Sequence, residues 1–187
     1  MFPDIFFTDD IFLKVDHASK QFVNMAKRLD YTSWDELFMG TASFISQRSK
    51  DPVRQVGAAI VNNEKKIIAC GYNGMPPGID DNDGVWGKDP DEPLLNKKFL
   101  VCHAEANALA NTTEKVNGCT IYVTHFPCND CAKLLSIHGI KHVVYANDYG
   151  VKDNIDLRRI SMRIFDAAGI TIKQYDGRGS FGINVFE

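Results

Sequence analysis

Apolar residues return along this chain in two rhythms, one near the helical period and one alternating, and the breaks between them mark the elements. In the first part, Phe12, Val15, Phe22, Met25, Ala26 and Leu29 recur at helix-like spacing. This predicts an N-terminal helical extension over residues 1–31 and a main body over 32–187. Thr32-Ser33-Trp34-Asp35-Glu36 reads as an N-cap followed by acidic first-turn residues. The helix behind it is expected to run to about Ser49 and to stop at Asp51-Pro52, because the residue before a proline disfavours helical backbone. Val56–Val61 and Lys66–Gly71 then have strand character, joined by Asn62-Asn63-Glu64-Lys65 as a hairpin turn.

Residues 73–98 are dense in Gly, Pro, Asp and Asn and predict a long loop of the kind that carries function. A helical pattern begins near His103, a strand covers Thr120–Thr124, a helix runs from Pro127 to about His138, and a strand covers His142–Tyr145. A last helix over about 155–168 ends at Gly169, and Ile170–Lys173 forms the final strand. A hairpin followed by alternating helices and strands predicts an α/β fold, a three-layer sandwich around a central mixed five-stranded sheet.

Composition narrows the function classes. The net charge is −3 and no run of five Lys or Arg occurs, so the chain does not advertise a groove for a nucleic acid polymer. No apolar run approaches a membrane span. The start, MFPDIFFTDD, lacks a basic region and resembles neither a secretory signal nor an Arg-rich transit peptide, so the expected location is cytoplasmic by elimination, with the nucleus left open. Five cysteines is an odd count, and two stand in a Cys-x-x-Cys, which in such a chain reads as metal or redox chemistry instead of a disulfide framework.

Two segments concentrate the chemistry: Cys102-His103-Ala104-Glu105-Ala106-Asn107-Ala108 and Phe126-Pro127-Cys128-Asn129-Asp130-Cys131-Ala132-Lys133. Together they match His-x-Glu…Pro-Cys-x-x-Cys, the established pattern of zinc deaminases. Pro127 suits the first helical position and places Cys128 at the positive end of the helix dipole, where a thiolate is favoured. Cys131, three residues on, lies on the same face, and His103 supplies a third ligand from the preceding helix start. Three protein ligands leave a fourth tetrahedral position for water, as in a catalytic zinc site. Glu105 stands beside the ion without being needed as a ligand, placed to take the water proton, pass it to the pyrimidine N3 and later protonate the departing amine.

Plainer readings compete. A Cys-x-x-Cys alone serves as a redox pair, or as half of a structural zinc knuckle closed by Cys70, Cys102, Cys119 or His125; neither explains His-x-Glu upstream. Cys102 is the weaker closer, since chain neighbours point in different directions. Cys70 and Cys119 sit in apolar strand runs and read as core thiols. His17, His138 and His142 read as surface or packing residues, whereas His125 precedes the metal turn and can reach the pocket rim.

At this point the chain resembles the deoxycytidylate deaminase family, from about Tyr31 to Tyr175. The resemblance rests on Arg48-Ser49-Lys50-Asp51-Pro52, Gln55-Val56-Gly57-Ala58, Gly71-Tyr72-Asn73-Gly74-Met75-Pro76, Val101-Cys102-His103-Ala104-Glu105 and Phe126–Lys133, and eukaryotic members look more similar than phage ones. It implies a cytidine deaminase-like sandwich, hydrolysis of dCMP to dUMP and ammonia for thymidylate synthesis, a homo-hexamer, activation by dCTP with Mg2+ and inhibition by dTTP. It places His103, Cys128 and Cys131 at the zinc ligands and Glu105 at the proton shuttle. It further implies Asn73, Ala104 and Tyr149 as substrate-binding positions, and Arg48, Gly71, Tyr72 and Gly74 as positions of a regulatory nucleotide site. The bland alternative for the turn is that its two glycines simply shape it and that Asn73 tolerates left-handed backbone. Tyr149, Lys152 and Arg48 are candidates for the phosphate, Arg48 being equally a solvated helix-end charge. Some phage members carry Cys for a second zinc where this chain has Lys50 and Asp51, so one zinc is expected. The N-terminal thirty residues have no counterpart in the resemblance.

Three functions follow: a deaminase of free dCMP, or of dCTP; a base-editing deaminase on RNA or single-stranded DNA, which needs a phosphate-tracking groove the acidic balance argues against; and a nucleotide sensor or scaffold, against which stand the intact ligands and Glu105.

Overall fold

The computed structural model describes residues 27–82, 85–87, 96–148 and 155–177. Most of the expected N-terminal helix, His17, Tyr149, Lys152 and the tail after Gly177 lie outside the described residues. The chain divides into two compact units, residues 1–32 and residues 33–187, and the elements below belong to the second.

Helix α1, Trp34–Ser46, starts where the pattern placed it. Ser33 accepts from the Glu36 N–H while the Glu36 carboxylate accepts from the Ser33 N–H, a reciprocal capping box that satisfies two orphan donors. The helix ends before the expected Ser49. Gln47, Arg48 and Ser49 each donate to the carbonyl three residues back, so the last turn tightens before Asp51-Pro52 is reached.

Strands β1 (Gly57–Val61) and β2 (Ile67–Tyr72) form the hairpin. Its turn is held by the Asn62 side chain, which accepts from the N–H groups of Glu64 and Lys66, with Lys65 at φ 62°. After the long loop come α2 (Lys97–Leu100), α3 (Ala104–Ala110), β3 (Thr120–His125), α4 (Asn129–Ile137), β4 (His142–Asn147), α5 (Ile155–Ala168) and β5 (Thr171–Gln174). Gly169, at φ 61°, closes α5 in the left-handed region that a side chain would strain.

The sheet order is β2-β1-β3-β4-β5. β1 pairs antiparallel with β2 and β3, whereas β3–β4 and β4–β5 are parallel. The expected mixed five-stranded sheet is therefore present. Strand alternation divides the core into two layers. Ala58, Ile60, Ile121, Val123, Val143 and Tyr145 face one way and pack with residues of α3, α4 and α5, including Ala108, Leu135 and Phe165. Ala59, Val61, Tyr122 and Val144 face the other way and pack with Phe38, Met39 and Ala42 of α1. This is the expected three-layer sandwich. Each buried Leu, Ile, Phe or Met side chain contributes about 1.5–3 kcal/mol of transfer free energy.

Helix α3 carries two of the candidate site residues, and its seat is specific. A Cβ on Gly71 would stand 2.3 Å from the Ala108 nitrogen and 2.4 Å from the Ala104 oxygen, so only glycine lets α3 lie directly on β2. Asn107 and Asn111 then donate from α3 to the carbonyls of Tyr72 and Cys70 on this edge strand. Among the described residues no helix is long and apolar enough to cross a membrane.

Candidate active site

The three expected ligands converge from two helix starts. His103 is the N-cap residue of α3, with extended backbone (φ −75°, ψ 155°) and no side-chain cap bond, because its Nδ1 is turned to the sulfurs. The chain before it is pinned by the reciprocal backbone pair of Gly74 with Cys102. Cys128 is the N-cap of α4, so Pro127 precedes the helix instead of opening it, a correction to the expected start. The reason is the thiol itself: Cys128 Sγ accepts from the Cys131 N–H at 3.5 Å and takes the capping role. Cys131 lies in the first turn and is buried.

His103 Nδ1 stands 3.4 Å from both Cys128 Sγ and Cys131 Sγ. A tetrahedral zinc with arms of about 2.3 Å to sulfur and about 2.0–2.1 Å to nitrogen sets N···S edges of about 3.6 Å, so the donor set fits. Electrostatics agree. Hydrogen bonding from the Cys131 thiol, reinforced by His103, pulls the Cys128 thiol down to about 4 despite burial. The same Cys128 contact lifts His103 to about 9 against the opposing effect of burial. Cys131 is pushed up, by its bond to Cys128 and by burial. An ion taking all three ligands displaces the protons of His103 and Cys131.

Glu105 is 4% exposed in the first turn of α3. Burial raises its carboxyl above the ordinary range, and the neighbouring His103 charge pulls the other way. His103, Ala104, Glu105 and Cys128 share a cavity of about 450 Å3 with Val56, Asn73, His125, Phe126, Asp51, Arg54, Lys97 and Lys98, among others. His125 reaches this cavity, as its position allowed. Burial above all, and the Arg54 charge next, push its imidazole down to about 4.

Asn73 and Ala104 line the cavity; among its described lining residues Arg48, Gly71, Tyr72 and Gly74 do not occur. Asn73 is buried, and its amide fastens the neighbouring loop: Oδ1 accepts from Val56 N–H at 2.7 Å, and Nδ2 donates to the Arg54 carbonyl at 3.0 Å. Neither Gly71, Asn73 nor Gly74 has positive φ, so the turn does not use left-handed backbone. Arg48 is exposed. Cys119 is a buried core thiol and Cys70 is half-buried against the α1 side of the sheet. His138 and His142 are exposed.

One group of residues at the cavity has no motif in the sequence. Asp51 marks a helix stop there, yet its carboxylate is buried and accepts from the Val53 and Arg54 N–H groups at 2.8 and 3.2 Å and from Lys97 Nζ at 2.6 Å. Burial would raise this carboxyl, but the Lys97 ammonium and the two N–H groups more than reverse it and hold it low. A depressed folded value contributes stability that is complete above the ordinary carboxylate range and lost as pH falls through the folded value. Asp51→Asn leaves the Lys97 ammonium, 17% exposed, without its counter-charge. The expected cost is about 3 kcal/mol, about 6–12 °C in Tm at neutral pH, narrowing as the pH is lowered, measured by thermal denaturation.

Residues 32–147 match the family model for the cytidine and deoxycytidylate deaminase zinc-binding region. The deoxycytidylate deaminases of Pongo abelii and Homo sapiens are 46% and 45% identical to this chain over 155 residues, covering 82% of it and 85% of each relative. A crystal structure of dCMP deaminase from the cyanophage S-TIM5 in complex with dCMP and dUMP superposes with a TM-score of 0.57 at 32% identity, covering 75% of this chain and 95% of that one. The primate identities exceed the phage one, in the order the sequence blocks suggested. The chain belongs to the cytidine and deoxycytidylate deaminase family and is a deaminase.

Proposed function

We propose that this protein hydrolyses dCMP to dUMP and ammonia, supplying dUMP for thymidylate synthesis, with a zinc ion held by His103, Cys128 and Cys131. The observation that carries the reading is a buried carboxyl, Glu105, beside a Cys-Cys-His donor set in a cavity of small-molecule size. Bound zinc supplies Lewis acidity that makes hydroxide available near neutral pH. Glu105 takes the proton of the attacking water and carries it to N3 of the ring as oxygen bonds to C4. It then takes the proton of the new C4 hydroxyl and delivers it to the exocyclic amine; the C4–N bond breaks, the C4 carbonyl forms, and ammonia leaves. A carboxyl buried in the first turn of α3, two residues from His103, is placed for both roles. Asn73 and Ala104 contact the substrate from the cavity wall, and Ala104, with its small side chain fully buried, leaves room for the ring.

dCTP with Mg2+ activates and dTTP inhibits, through the turn that contains Gly71, Tyr72 and Gly74 together with Arg48, in a homo-hexamer. Support for this regulatory reading comes from the seat of α3: it rests on Gly71 and bonds to the Tyr72 carbonyl, so a nucleotide that shifts the turn moves the helix start bearing His103 and Glu105. The test is ammonia release from dCMP, dCTP, CMP and deoxycytidine, each with and without dCTP–Mg2+ or dTTP. Preferred turnover of dCMP, raised by dCTP and suppressed by dTTP, is expected. Preference for dCTP as substrate, or no free nucleotide turned over, contradicts the proposal.

A further inference from the structure

The cavity has a cationic wall that the metal centre does not use. Among the described residues, Arg54, Lys97 and Lys98 line it against one acidic partner on that wall, Asp51, in a chain whose net charge is −3. Lys97 is spent: its ammonium pairs with the buried Asp51 carboxylate at 2.6 Å. Arg54 is exposed and forms no ion pair among the described residues, and its charge reaches the cavity, since it helps depress the His125 imidazole. Lys98 Nζ lies 4.6 Å from the Phe99 ring centroid and forms no ion pair among the described residues. One carboxylate sets both groups: Asp51 receives the Arg54 N–H and the Lys97 ammonium, which clamps the loop bearing Arg54 to the helix bearing Lys98.

Resting on the dCMP reading, we infer that Arg54, assisted by Lys98, holds the 5′-phosphate of the substrate and gives the enzyme its preference for nucleotide over nucleoside. A guanidinium presents a planar fork of donors that matches a phosphate monoester bidentately, and the two cations balance a dianion. Of the other basic residues near this loop, Lys50 pairs with Asp81 at 2.8 Å, and Arg48 lies outside the lining among the described residues. Lys97 acts here as a positioning residue.

The test compares kcat/KM for dCMP with that for deoxycytidine in the wild type, Arg54→Ala, Arg54→Lys and Lys98→Ala, with zinc content measured for each. Charge-assisted hydrogen bonds of this kind predict that Arg54→Ala lowers the dCMP-over-deoxycytidine preference by about 20- to 100-fold, chiefly through KM for dCMP. Arg54→Lys restores part of the preference and Lys98→Ala loses less than Arg54→Ala, all with wild-type zinc. An Arg54→Ala enzyme that keeps the wild-type preference overturns the subsite while leaving the dCMP reading intact. A wild type that ignores dCMP sinks that reading and the subsite with it.

Discussion

Glu105→Gln retains one zinc per chain and loses dCMP turnover by about 10^3- to 10^4-fold, close to the full worth of a general acid–base group. The substitution keeps the shape of a side chain that is 4% exposed, so packing against the start of α3 is preserved. What it removes is the ability to accept a proton from water and to give it to N3 and then to the leaving amine. The amide fills the same volume at the same position, so the Tm of the zinc-loaded variant is expected to stay near that of wild type. Kinetics, metal analysis and thermal denaturation on one sample separate the roles: lost turnover with retained zinc and retained Tm marks a proton carrier, whereas full activity in the variant contradicts the mechanism.

The second large effect falls on Cys128. Cys128→Ser abolishes stoichiometric zinc and with it measurable activity, and lowers Tm through the loss of metal-linked stability. Serine is informative because Cys128 has two jobs. As N-cap of α4 it accepts from the Cys131 N–H, and a serine hydroxyl performs that task well. In the proposed zinc site it supplies a thiolate, held down to about 4 by the Cys131 thiol and His103, which a hydroxyl does not replace. Helix content by circular dichroism should thus stay near that of zinc-stripped wild type while metal analysis reads close to zero. A variant with one zinc per chain would remove Cys128 from the ligand set.

What could be read in advance follows from the range of each interaction. The Ser33–Glu36 capping box spans three residues and announces α1 directly. The alternation of Ala58 and Ile60 with Ala59 and Val61 announces a strand buried on both faces, and the core divides along that alternation. His103, Glu105, Cys128 and Cys131 stand in two short segments whose spacings encode the helix starts, so this constellation was legible. Helix α2 was not, because Lys97–Leu100 is too short to show a period and only Asn96, its N-cap, hints at it. The end of α1 was placed late because a proline excludes helix only at its own neighbour, while the chain tightened earlier. Nor was the Asp51–Lys97 pair visible: its partners are 46 residues apart, and no local pattern relates them. Asp51 in Asp-Pro-Val-Arg does carry a signal, that of an aspartate accepting from the N–H groups two and three residues on, beside its signal as a helix stop. Arg54 and Lys98 carry no local signal, and only the fold sets them around the same cavity as His103 and Cys128.

The measurement that reaches the central claim most directly is ammonia release from dCMP as a function of zinc bound per chain, beginning from chelator-stripped protein. The account predicts no turnover at zero zinc and a linear rise that levels at one zinc per chain. Turnover undiminished in the stripped protein, or none at full zinc occupancy with dCMP saturating, would contradict it.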